Sequence, residues 1–281
     1  MTRAVRKAGM RMIRAHNLTL SLRDGQHRRP VLQGISIHIE RGEWVALTGA
    51  NGCGKTSLVR TFNGLIAPSG GSLSVAGLDL RSPQNRADVK QQVQLVFQNP
   101  EAQTVGSTPF EDIAFGLENR GLDRNLMITR IHDILQQVGL AHKADADVAS
   151  LSGGERQRLA VGCCLALEAG MIIFDEATSM LDPAGRQDIL GLARRLWRSG
   201  TTVLWVTQRM EELAESPRIA VMGDGQLLYD GDPRTLFYAS GLPDALGWTP
   251  SPVVRIGRLL QRQKWPLHLL PLTEPQLEAM L

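Results

Sequence analysis

One segment of the sequence combines glycines with a lysine and a hydroxyl residue at the spacing G-x-x-x-x-G-K-[ST]. It reads Gly49-Ala50-Asn51-Gly52-Cys53-Gly54-Lys55-Thr56 and is followed by Ser57. Glycines let successive backbone N–H groups turn towards an anion with no side chain in the way. Lys55 can then reach the β- and γ-phosphates of a nucleotide, and Thr56 can place its hydroxyl on Mg²⁺. The segment therefore predicts a phosphate-binding loop, and its predicted binding residues are Gly49, Asn51, Gly52, Cys53, Gly54, Lys55, Thr56 and Ser57.

The residues on either side of this loop favour the same interpretation. Residues 43–48 have a pattern typical of a strand, and residues 56–62 have that of a helix that ends at Asn63 and Gly64. A helix that begins at the loop points the positive end of its dipole at the bound anion. The alternative, a glycine-rich turn that matches the spacing by accident, is disfavoured by these flanking elements.

Two adjacent carboxylates, Asp175 and Glu176, follow the apolar run of residues 171–174. Such a run is typical of a buried parallel strand that delivers acids to its C-terminal edge. We predict that Asp175 holds Mg²⁺ through water, and that Glu176 orients and deprotonates an attacking water. The alternative is an ordinary solvated strand end.

A third segment combines a helix start with two glycines, and it reads Leu151-Ser152-Gly153-Gly154-Glu155-Arg156-Gln157-Arg158. Ser152 and Glu155 have the S-x-x-E spacing of a capping box, in which each side chain bonds the backbone N–H of the other residue. The backbone N–H groups of Gly153 and Gly154 then remain free to meet a phosphate at the start of the helix.

Taken in order, these segments resemble the ABC-type ATPases over about residues 13–240. The first resembles their P-loop, and the third resembles the signature that faces the nucleotide held by a partner subunit. Gln98, after the strand-like residues 93–97, stands where this family has its Q-loop. Residues 177–183 resemble the D-loop by which ABC subunits contact each other, and this favours the chemical interpretation of the acidic pair.

A narrower resemblance is to the ATPases of energy-coupling factor (ECF) transporters. Residues 97–103 resemble the extended Q-loop of that group, and residues 207–212 resemble its switch segment. The tail from residue 241 to residue 281 is similar to its C-terminal extension.

The resemblance implies an α/β fold: a P-loop NTPase of the ABC type with a RecA-like core, an N-terminal antiparallel β subdomain, an inserted helical subdomain and a C-terminal helical extension. It implies ATP and Mg²⁺ as ligands. Glu176, Gln208 and Gln98 would be catalytic, and Thr56, Gln98 and Asp175 would hold the metal. The nucleotide held by a partner subunit would be contacted by Ser152, Gly153 and Gly154.

The implied partners are a second ABC ATPase subunit, an integral membrane coupling subunit and a membrane subunit that binds the transported substrate. The chain would then lie at the cytoplasmic face of the cell membrane as a peripheral subunit. It would couple ATP hydrolysis to uptake of a vitamin or a transition-metal ion. The sequence does not distinguish a homodimer from a heterodimer. The transported substrate would be recognised by the membrane partner.

Two positions depart from the family pattern. Gln208 stands where a switch histidine usually contacts the γ-phosphate, which questions the hydrolytic competence of the site. Leu22 stands where an aromatic usually stacks on adenine, and Arg23 is the alternative contact for the base. Residues 23–30 are expected to form an irregular loop at this point.

The chain divides into a basic tail (1–12), an ATPase domain (13–240) and a C-terminal extension (241–281). Alternating segments at residues 13–20 and 31–40 predict antiparallel strands. Helical patterns replace strand patterns between about residues 99 and 162, which predicts the inserted helical subdomain. A last strand is expected at residues 202–207, with a hairpin turn at Gly223-Asp224-Gly225.

Composition limits the possible functions. The net charge of +3 on 281 residues gives no global nucleic-acid footprint, so no nucleic-acid partner is expected. Basic residues cluster near the N-terminus, where a solvated tail is favoured over a targeting segment or a lipid contact; they are Arg3, Arg6, Lys7, Arg11 and Arg14. No apolar stretch has the length of a membrane span.

The cysteines show no metal-ligand spacing, which suits a reducing cytoplasm. Cys163 and Cys164 are expected to be small core residues of the helix after the signature. Cys53 lies beside Lys55 and a helix N-terminus, and both favour a thiolate; we therefore expect a lowered pKa and reaction with maleimide.

Two other classes of function remain open. One is a soluble ABC ATPase acting in DNA repair or translation, although neither a second ATPase half nor a long coiled-coil insertion is visible. The other is a degenerate regulatory subunit that binds ATP and barely turns it over; Gln208 favours this reading and Glu176 disfavours it.

Overall fold

Two sheets form the framework of the protein in the computed structural model, which describes residues 11–24, 27–265 and 268–280. The smaller sheet is antiparallel with the strand order β2-β1-β4-β5, and the larger sheet has the order β10-β9-β3-β8-β7-β6. The strands are β1 (Arg11–Asp24), β2 (His27–Glu40), β3 (Trp44–Gly49), β4 (Gly70–Val75), β5 (Leu78–Asp79), β6 (Val93–Val96), β7 (Met171–Asp175), β8 (Thr202–Val206), β9 (Arg218–Gly223) and β10 (Gln226–Gly231).

The larger sheet is parallel except for its edge strand β10, which forms an antiparallel hairpin with β9. Every residue of β3, β7 and β8 is buried, because these strands are continuous apolar runs covered on both faces. The carboxyl ends of parallel strands meet at one edge of a sheet. The loops that follow β3, β6, β7 and β8 are therefore neighbours.

Helices complete the layers on both sides of this sheet. They are α1 (Lys55–Phe62), α2 (Pro83–Gln92), α3 (Pro109–Glu118), α4 (Arg124–Gln137), α5 (Gly153–Ala166), α6 (Pro183–Arg198), α7 (Met210–Leu213), α8 (Pro233–Tyr238), α9 (Leu242–Ala245), α10 (Pro252–Arg262) and α11 (Glu274–Glu278). Short 3₁₀ turns occur at Pro100–Ala102, Ala141–Lys143 and Val148–Ser150.

The two faces of the larger sheet belong to different apolar cores, because successive side chains of a strand point to opposite faces. One face carries Phe174 and Trp205, whose ring centroids are 4.8 Å apart, and packs against α6 and the helices α3 to α5. The other face carries Ile173 and Leu204 and packs against α1, α2 and the antiparallel sheet.

The structure describes every residue between β6 and β7, and this part of the chain forms helices and connecting loops with no strand. On α4 the buried residues Met127, Ile131, Ile134 and Leu135 recur at helical spacing and form one apolar face. This face packs with residues of α3 and α5 in the core that also covers the sheet. The helical insertion is therefore packed onto the sheet through shared side chains.

The C-terminal extension packs on the far edge of the larger sheet. Val254 of α10 and Leu272 share an apolar cluster with Leu236 and Phe237 of α8. The Tyr238 hydroxyl donates a hydrogen bond to the Pro271 carbonyl oxygen at 2.5 Å. Within the described ranges, none of the helices combines the length and the apolar character needed to cross a bilayer.

The structure differs from the sequence-based predictions at several places. The strand β1 begins at Arg11, so the last residues of the predicted basic tail are in the sheet and Met12 is fully buried. Arg3, Arg6 and Lys7 lie outside the described residues. The predicted irregular loop at residues 23–30 is wrong, because β1 and β2 pair out to Asp24 and His27 and so satisfy the backbone groups of these polar residues.

The strand expected at residues 202–207 is present as β8, but it is not the last one. β9 and β10 follow it, and the hairpin turn predicted at residues 223–225 joins them, which confirms that turn. Cys164 is buried in the core as predicted, and Cys163 is a partly buried residue whose side chain packs against the same core.

Candidate nucleotide site

The glycine-rich loop joins β3 to α1 and has the backbone that an anion cradle needs. Gly49 has φ +144°, and a Cβ atom there would lie 2.1 Å from the Met222 carbonyl oxygen, so only glycine can occupy this position. Gly52 has φ +76° with nothing within 4 Å of its Cβ position. The loop is therefore tight against β9 on one side and leaves room on the other, where its N–H groups can receive a phosphate.

Lys55 begins α1 and its side chain folds back over this loop. The ammonium group donates hydrogen bonds to the carbonyl oxygens of Gly49 at 2.9 Å and Ala50 at 3.0 Å. The residue is only 5% exposed, so its charge is held inside the loop. Among the described residues the hydrogen bonds of this buried ammonium go to carbonyl oxygens, so its positive charge can attract a phosphate.

Asp175 ends β7 and lies next to the first turn of α1. Its Oδ1 atom lies 3.5 Å from the Thr56 hydroxyl. Burial raises the pKa of the Asp175 carboxyl, and the hydrogen bond from Thr56 opposes this effect. A hydroxyl and a carboxylate are hard oxygen ligands of the kind Mg²⁺ prefers, and a cation here would favour the charged carboxylate. The residues present therefore fit Mg²⁺.

Glu176 follows directly and has a left-handed backbone, with φ +52°. Non-glycine residues held in this conformation cluster at functional sites, because the surrounding structure must support the strain. Here the Glu176 N–H donates to the Val206 carbonyl oxygen of β8 at 3.1 Å. The contact between adjacent strand ends fixes the acid at the sheet edge.

Gln208 follows β8 and links the acid to the glycine-rich loop. Its Nε2 atom donates to Glu176 Oε1 at 3.0 Å and to Asn51 Oδ1 at 2.5 Å. The structure thus brings together residues that are far apart in sequence: loop, acid and switch glutamine. Gln98, two residues beyond Val96 of β6, is exposed at the same edge, since Val96 pairs with Phe174 of β7.

The signature segment begins α5 with the predicted capping box. Ser152 Oγ accepts from the Glu155 N–H at 3.3 Å, and Glu155 Oε2 accepts from the Ser152 N–H at 2.8 Å. Lys143 forms an ion pair with Glu155 at 2.6 Å and, together with the Ser152 N–H, lowers the pKa of Glu155 to about 2. The helix start predicted from the sequence is confirmed.

The signature segment and the glycine-rich loop lie on different elements of the chain. Among the described residues, no hydrogen bond or ion pair joins residues 151–155 to residues 49–57. Residues 151–155 begin α5 of the helical insertion, whereas residues 49–57 join β3 to α1 at the edge of the larger sheet.

Two glutamines that the sequence analysis did not single out connect these parts. Gln103 accepts from the Phe97 N–H at 2.7 Å and donates to the Leu95 carbonyl oxygen at 2.8 Å. Gln157, which is buried on α5, donates to the Phe97 carbonyl oxygen at 3.1 Å. They tie the residues around Gln98 to the signature helix. The sequence signal that could have identified Gln157 is its position, as a polar residue, on the buried face of α5.

The segment after Glu176 turns back to start α6. Ala177 and Thr178 are buried, whereas Met180 is 68% exposed. Asp182 caps α6 by accepting from the Gly185 N–H at 2.7 Å. A large apolar side chain is thus held out into solvent on a short, anchored loop beside the acid.

A cavity of about 460 Å³ adjoins the glycine-rich loop on the side of the β1–β2 hairpin. Its lining residues are Leu22, Arg29, Pro30, Val31, Gln33, Gly52, Ser57, Asp224 and Gly225. Leu22 and Arg29 line it and Arg23 does not, because neighbouring residues of β1 point to opposite faces and Leu22 takes the cavity side. A base placed here meets an aliphatic side chain and a guanidinium.

The expectation of an acidic Cys53 thiol is wrong. Burial raises the pKa of Cys53 above its ordinary value, and the nearby Lys55 only partly offsets this. Burial also raises the pKa of Cys164 to about 12. The thiol of Cys163 has a strongly raised pKa from burial and from the Asp112 carboxylate, which its Sγ contacts at 3.3 Å.

Comparison with known proteins gives concordant results. Residues 32–179 match the family model described as ABC transporter. The chain is 42% identical over 218 residues to the energy-coupling factor transporter ATP-binding protein EcfA1 of Halalkalibacterium halodurans, covering 78% of each chain. It is 40% identical to EcfA1 of Bacillus subtilis, covering 80% of each.

Solved structures show the same fold. CbiO1 from Clostridium perfringens, described as part of the ABC transporter complex CbiONQ, superposes with a TM-score of 0.76 at 26% identity, covering 90% of this chain and 100% of that one. The dimeric ATP-binding cassette MJ0796, bound to ADP and phosphate, superposes with a TM-score of 0.72 at 23% identity, and this likeness is one of fold.

The fold and the family predicted from the motifs are confirmed, since the match to the family model covers the loop, the signature and the acids together. The chain therefore belongs to the ABC transporter family and, within it, to the ATP-binding proteins of energy-coupling factor transporters.

Proposed function

We propose that this chain binds Mg-ATP between its own glycine-rich loop and the signature of a second ATPase subunit, and that it hydrolyses the nucleotide there. One observation carries the proposal. Lys55, Asp175, Glu176 and Gln208 meet at one sheet edge, whereas the signature of the same subunit makes no bond to that loop among the described residues. Two ATPase subunits that face each other, each with one glycine-rich loop and one signature, would then form two complete sites.

The residues divide the work of phosphoryl transfer. Lys55 and the N–H groups of residues 52–56 hold the β- and γ-phosphates, and the signature glycines Gly153 and Gly154 offer N–H groups to the γ-phosphate from the partner side. Mg²⁺ would be held by Thr56, Asp175 and Gln98, and its positive charge would neutralise that of the phosphate oxygens. Asn51 and Ser57 extend the same cradle.

Glu176 is the general base in this proposal. The Gln208 amide donates a hydrogen bond to Glu176 Oε1 at 3.0 Å, which orients the carboxylate beside the glycine-rich loop. The carboxylate then takes a proton from the water that attacks the γ-phosphate. Positioning and charge neutralisation supply most of the rate enhancement in such reactions.

The helical insertion is the proposed contact with the membrane subunits. Exposed apolar side chains on or beside its helices are Val105, Phe115, Leu126 and Ile128. Gln103, which is two residues before Val105, and Gln157 of α5 both form hydrogen bonds with the backbone of Phe97. Phe97 directly precedes Gln98. Occupation of the nucleotide site can therefore be transmitted to a bound coupling subunit. The assembly would lie at the cytoplasmic face of the membrane and drive uptake of a vitamin or a transition-metal ion.

A regulatory subunit with slow turnover is the second candidate. Gln208 is neutral at every accessible pH, so it lacks the charge that a histidine can bring to the γ-phosphate. In a homodimer both sites would be slow. In a heterodimer only the site built on this chain's glycine-rich loop would be slow.

Purification of the chain with its membrane partners from solubilised membranes tests the proposal. We expect co-purification with an integral membrane protein, and an ATPase rate that rises in its presence. Glu176→Gln should abolish hydrolysis and retain an ATP-bound dimer on size-exclusion chromatography. Full ATPase activity of the isolated chain, unchanged by any membrane fraction, would contradict the transport role.

The docking surface has a matched control. Phe115 and Leu65 are 48% and 47% exposed, and Leu65 lies outside the helical insertion. Phe115→Asp should abolish co-purification while nucleotide binding persists. Leu65→Asp should leave both unchanged.

A further inference from the structure

Glu212 of α7 is a buried carboxylate outside the set of residues assigned above. It is 3% exposed. Three side chains donate to it: Thr178 to Oε1 at 2.7 Å, Thr207 to Oε2 at 2.6 Å, and Trp205 Nε1 to Oε2 at 3.0 Å. The nearest cation, the Arg209 guanidinium, is 3.8 Å away. Each of these donors loses a buried acceptor if it moves away, which ties the positions of the three side chains closely to the carboxylate.

Two of these donors belong to the loops that form the hydrolytic centre. Thr207 directly precedes Gln208, and its hydroxyl also accepts from the Arg209 N–H at 3.1 Å. The Thr207 side chain thus holds the backbone on both sides of the switch glutamine. Thr178 lies two residues after Glu176, in the turn where the Ser179 N–H donates to the Glu176 carbonyl oxygen at 3.0 Å.

The two loops are consequently joined twice. The exposed connection is direct, from Gln208 Nε2 to Glu176 Oε1. The buried connection runs from Thr178 through the Glu212 carboxylate to Thr207. Any shift of the segment that carries Met180 moves Thr178 and, through Glu212, the backbone that carries Gln208.

We propose that Glu212 is a positioning residue for the hydrolytic centre: it holds Gln208 against Glu176 and couples the turn at residues 177–182 to the switch glutamine. The proposal rests on the ATPase function proposed above. Contact of a second subunit with the exposed Met180 turn would then act on hydrolysis through a buried hydrogen-bonded carboxylate.

Substitution of Glu212 by glutamine tests this role, because the amide keeps the size of the side chain but turns one acceptor into a donor that faces other donors. In the assembled transporter, Glu212→Gln should lower kcat about tenfold, as expected for a degraded charged hydrogen-bond network. KM for Mg-ATP should change less than about twofold in this assembly, since the phosphate cradle is untouched and the membrane subunits already hold the two ATPase subunits together. Glu211→Gln, the same change at the exposed neighbour, should leave kcat unchanged.

Combination with Gln208→Ala separates positioning from simple support of the fold. If Glu212 acts through Gln208, adding Glu212→Gln to Gln208→Ala should cost less than about twofold, because coupled residues are not additive. A full tenfold loss in both backgrounds, or none in the unsubstituted background, would overturn the proposal. Should Glu212→Gln fail to fold, Thr207→Val and Thr178→Val each remove one donor and permit the same comparison.

A second readout needs no turnover. In the Glu176→Gln background, Glu212→Gln should raise the ATP concentration needed for half-maximal dimerisation about tenfold, because the turn at residues 177–182 loses its anchor. An unchanged concentration would overturn the proposal. Absence of ATPase activity in the unsubstituted assembly would instead contradict the proposed hydrolytic function, and the dimerisation readout would still decide the role of Glu212.

Discussion

The Gln208 side-chain nitrogen lies 3.0 Å from Glu176 Oε1 and 2.5 Å from Asn51 Oδ1. A primary amide has two N–H donors, and here each has its own acceptor on a different loop. One is on the acid that follows β7, and the other is in the glycine-rich loop. A glutamine at this position therefore bridges both walls of the site with no charge of its own.

The first prediction concerns this bridge. Gln208→Ala removes both hydrogen bonds and should lower the ATPase rate of the assembled transporter by about tenfold or more, since a hydrogen bond to a charged group contributes about 1.5–3 kcal/mol. Gln208→His can donate to the γ-phosphate and carry charge, so it should preserve or raise the rate. Steady-state ATPase assays measure both. A Gln208→Ala rate equal to that of the parent would remove Gln208 from the mechanism.

The second prediction compares two glycines of the phosphate-binding loop. Gly52→Ala places a methyl group where the protein leaves room for a ligand, so it should weaken nucleotide binding. An alanine held in the left-handed backbone conformation of Gly52 should also cost about 1–2 kcal/mol of stability. Gly49→Ala adds a clash with the Met222 carbonyl oxygen and should destabilise the fold more.

Gly139→Ala is the matched control for this comparison, since Gly139 also has a left-handed backbone, φ +72°, with nothing within 4 Å of its Cβ position. It should cost as much stability as Gly52→Ala yet leave the rise in Tm caused by ADP intact. Thermal unfolding with and without ADP measures both quantities. Equal ADP shifts for both variants would contradict the cradle at Gly52.

The third prediction is the pH dependence of the signature cap. The pKa of Glu155 is lowered to about 2 in the folded protein by Lys143 and the Ser152 N–H, against about 4.3 in an unfolded chain. Its stabilisation is therefore complete above about pH 4.3 and is lost as the pH falls towards 2. Glu155→Gln should cost about 1 kcal/mol at pH 7, because a partly exposed pair is screened by water.

Thermal unfolding from pH 7 down to pH 3 checks this. The stability difference between the parent and Glu155→Gln should shrink below about pH 4.3. A difference that grows as the pH falls would show that the pKa of Glu155 is raised on folding, the opposite of what its contacts require.

The fourth prediction follows from the corrected thiol chemistry. Burial raises the pKa of all the cysteines, Cys53, Cys163 and Cys164, so few thiolates are present near pH 7.5. Maleimide should modify the native chain slowly and the urea-unfolded chain quickly, as followed by mass spectrometry. Rapid modification of the native chain that Cys53→Ser abolishes and Mg-ATP prevents would contradict this prediction.

Much of the site was predictable from sequence because its parts are local. The glycine-rich loop needs a fixed series of residues, Gly49 to Thr56, and the cap of α5 needs Ser152 and Glu155 at one spacing. Both depend on backbone geometry within a few bonds of the residues concerned. The order of these motifs was sufficient to predict the family.

Other features depended on chain segments that meet only in the folded protein. The extent of the β1–β2 hairpin follows from pairing of Leu22 with Arg29, which no local pattern indicates. The Cys53 pKa depends on how much protein covers the thiol, and burial outweighs the Lys55 charge that the sequence made visible.

The sequence by itself determined which chemical groups this protein has and in which order they occur, since a phosphate cradle and a helix cap are built from neighbouring residues. Only the tertiary structure decided that Gln208 spans Asn51 and Glu176, and that Glu212 gathers Thr178, Trp205 and Thr207. The physical reason is that parallel strands bring their carboxyl ends to one edge whatever their separation along the chain, so hydrogen-bond partners there are set by strand order.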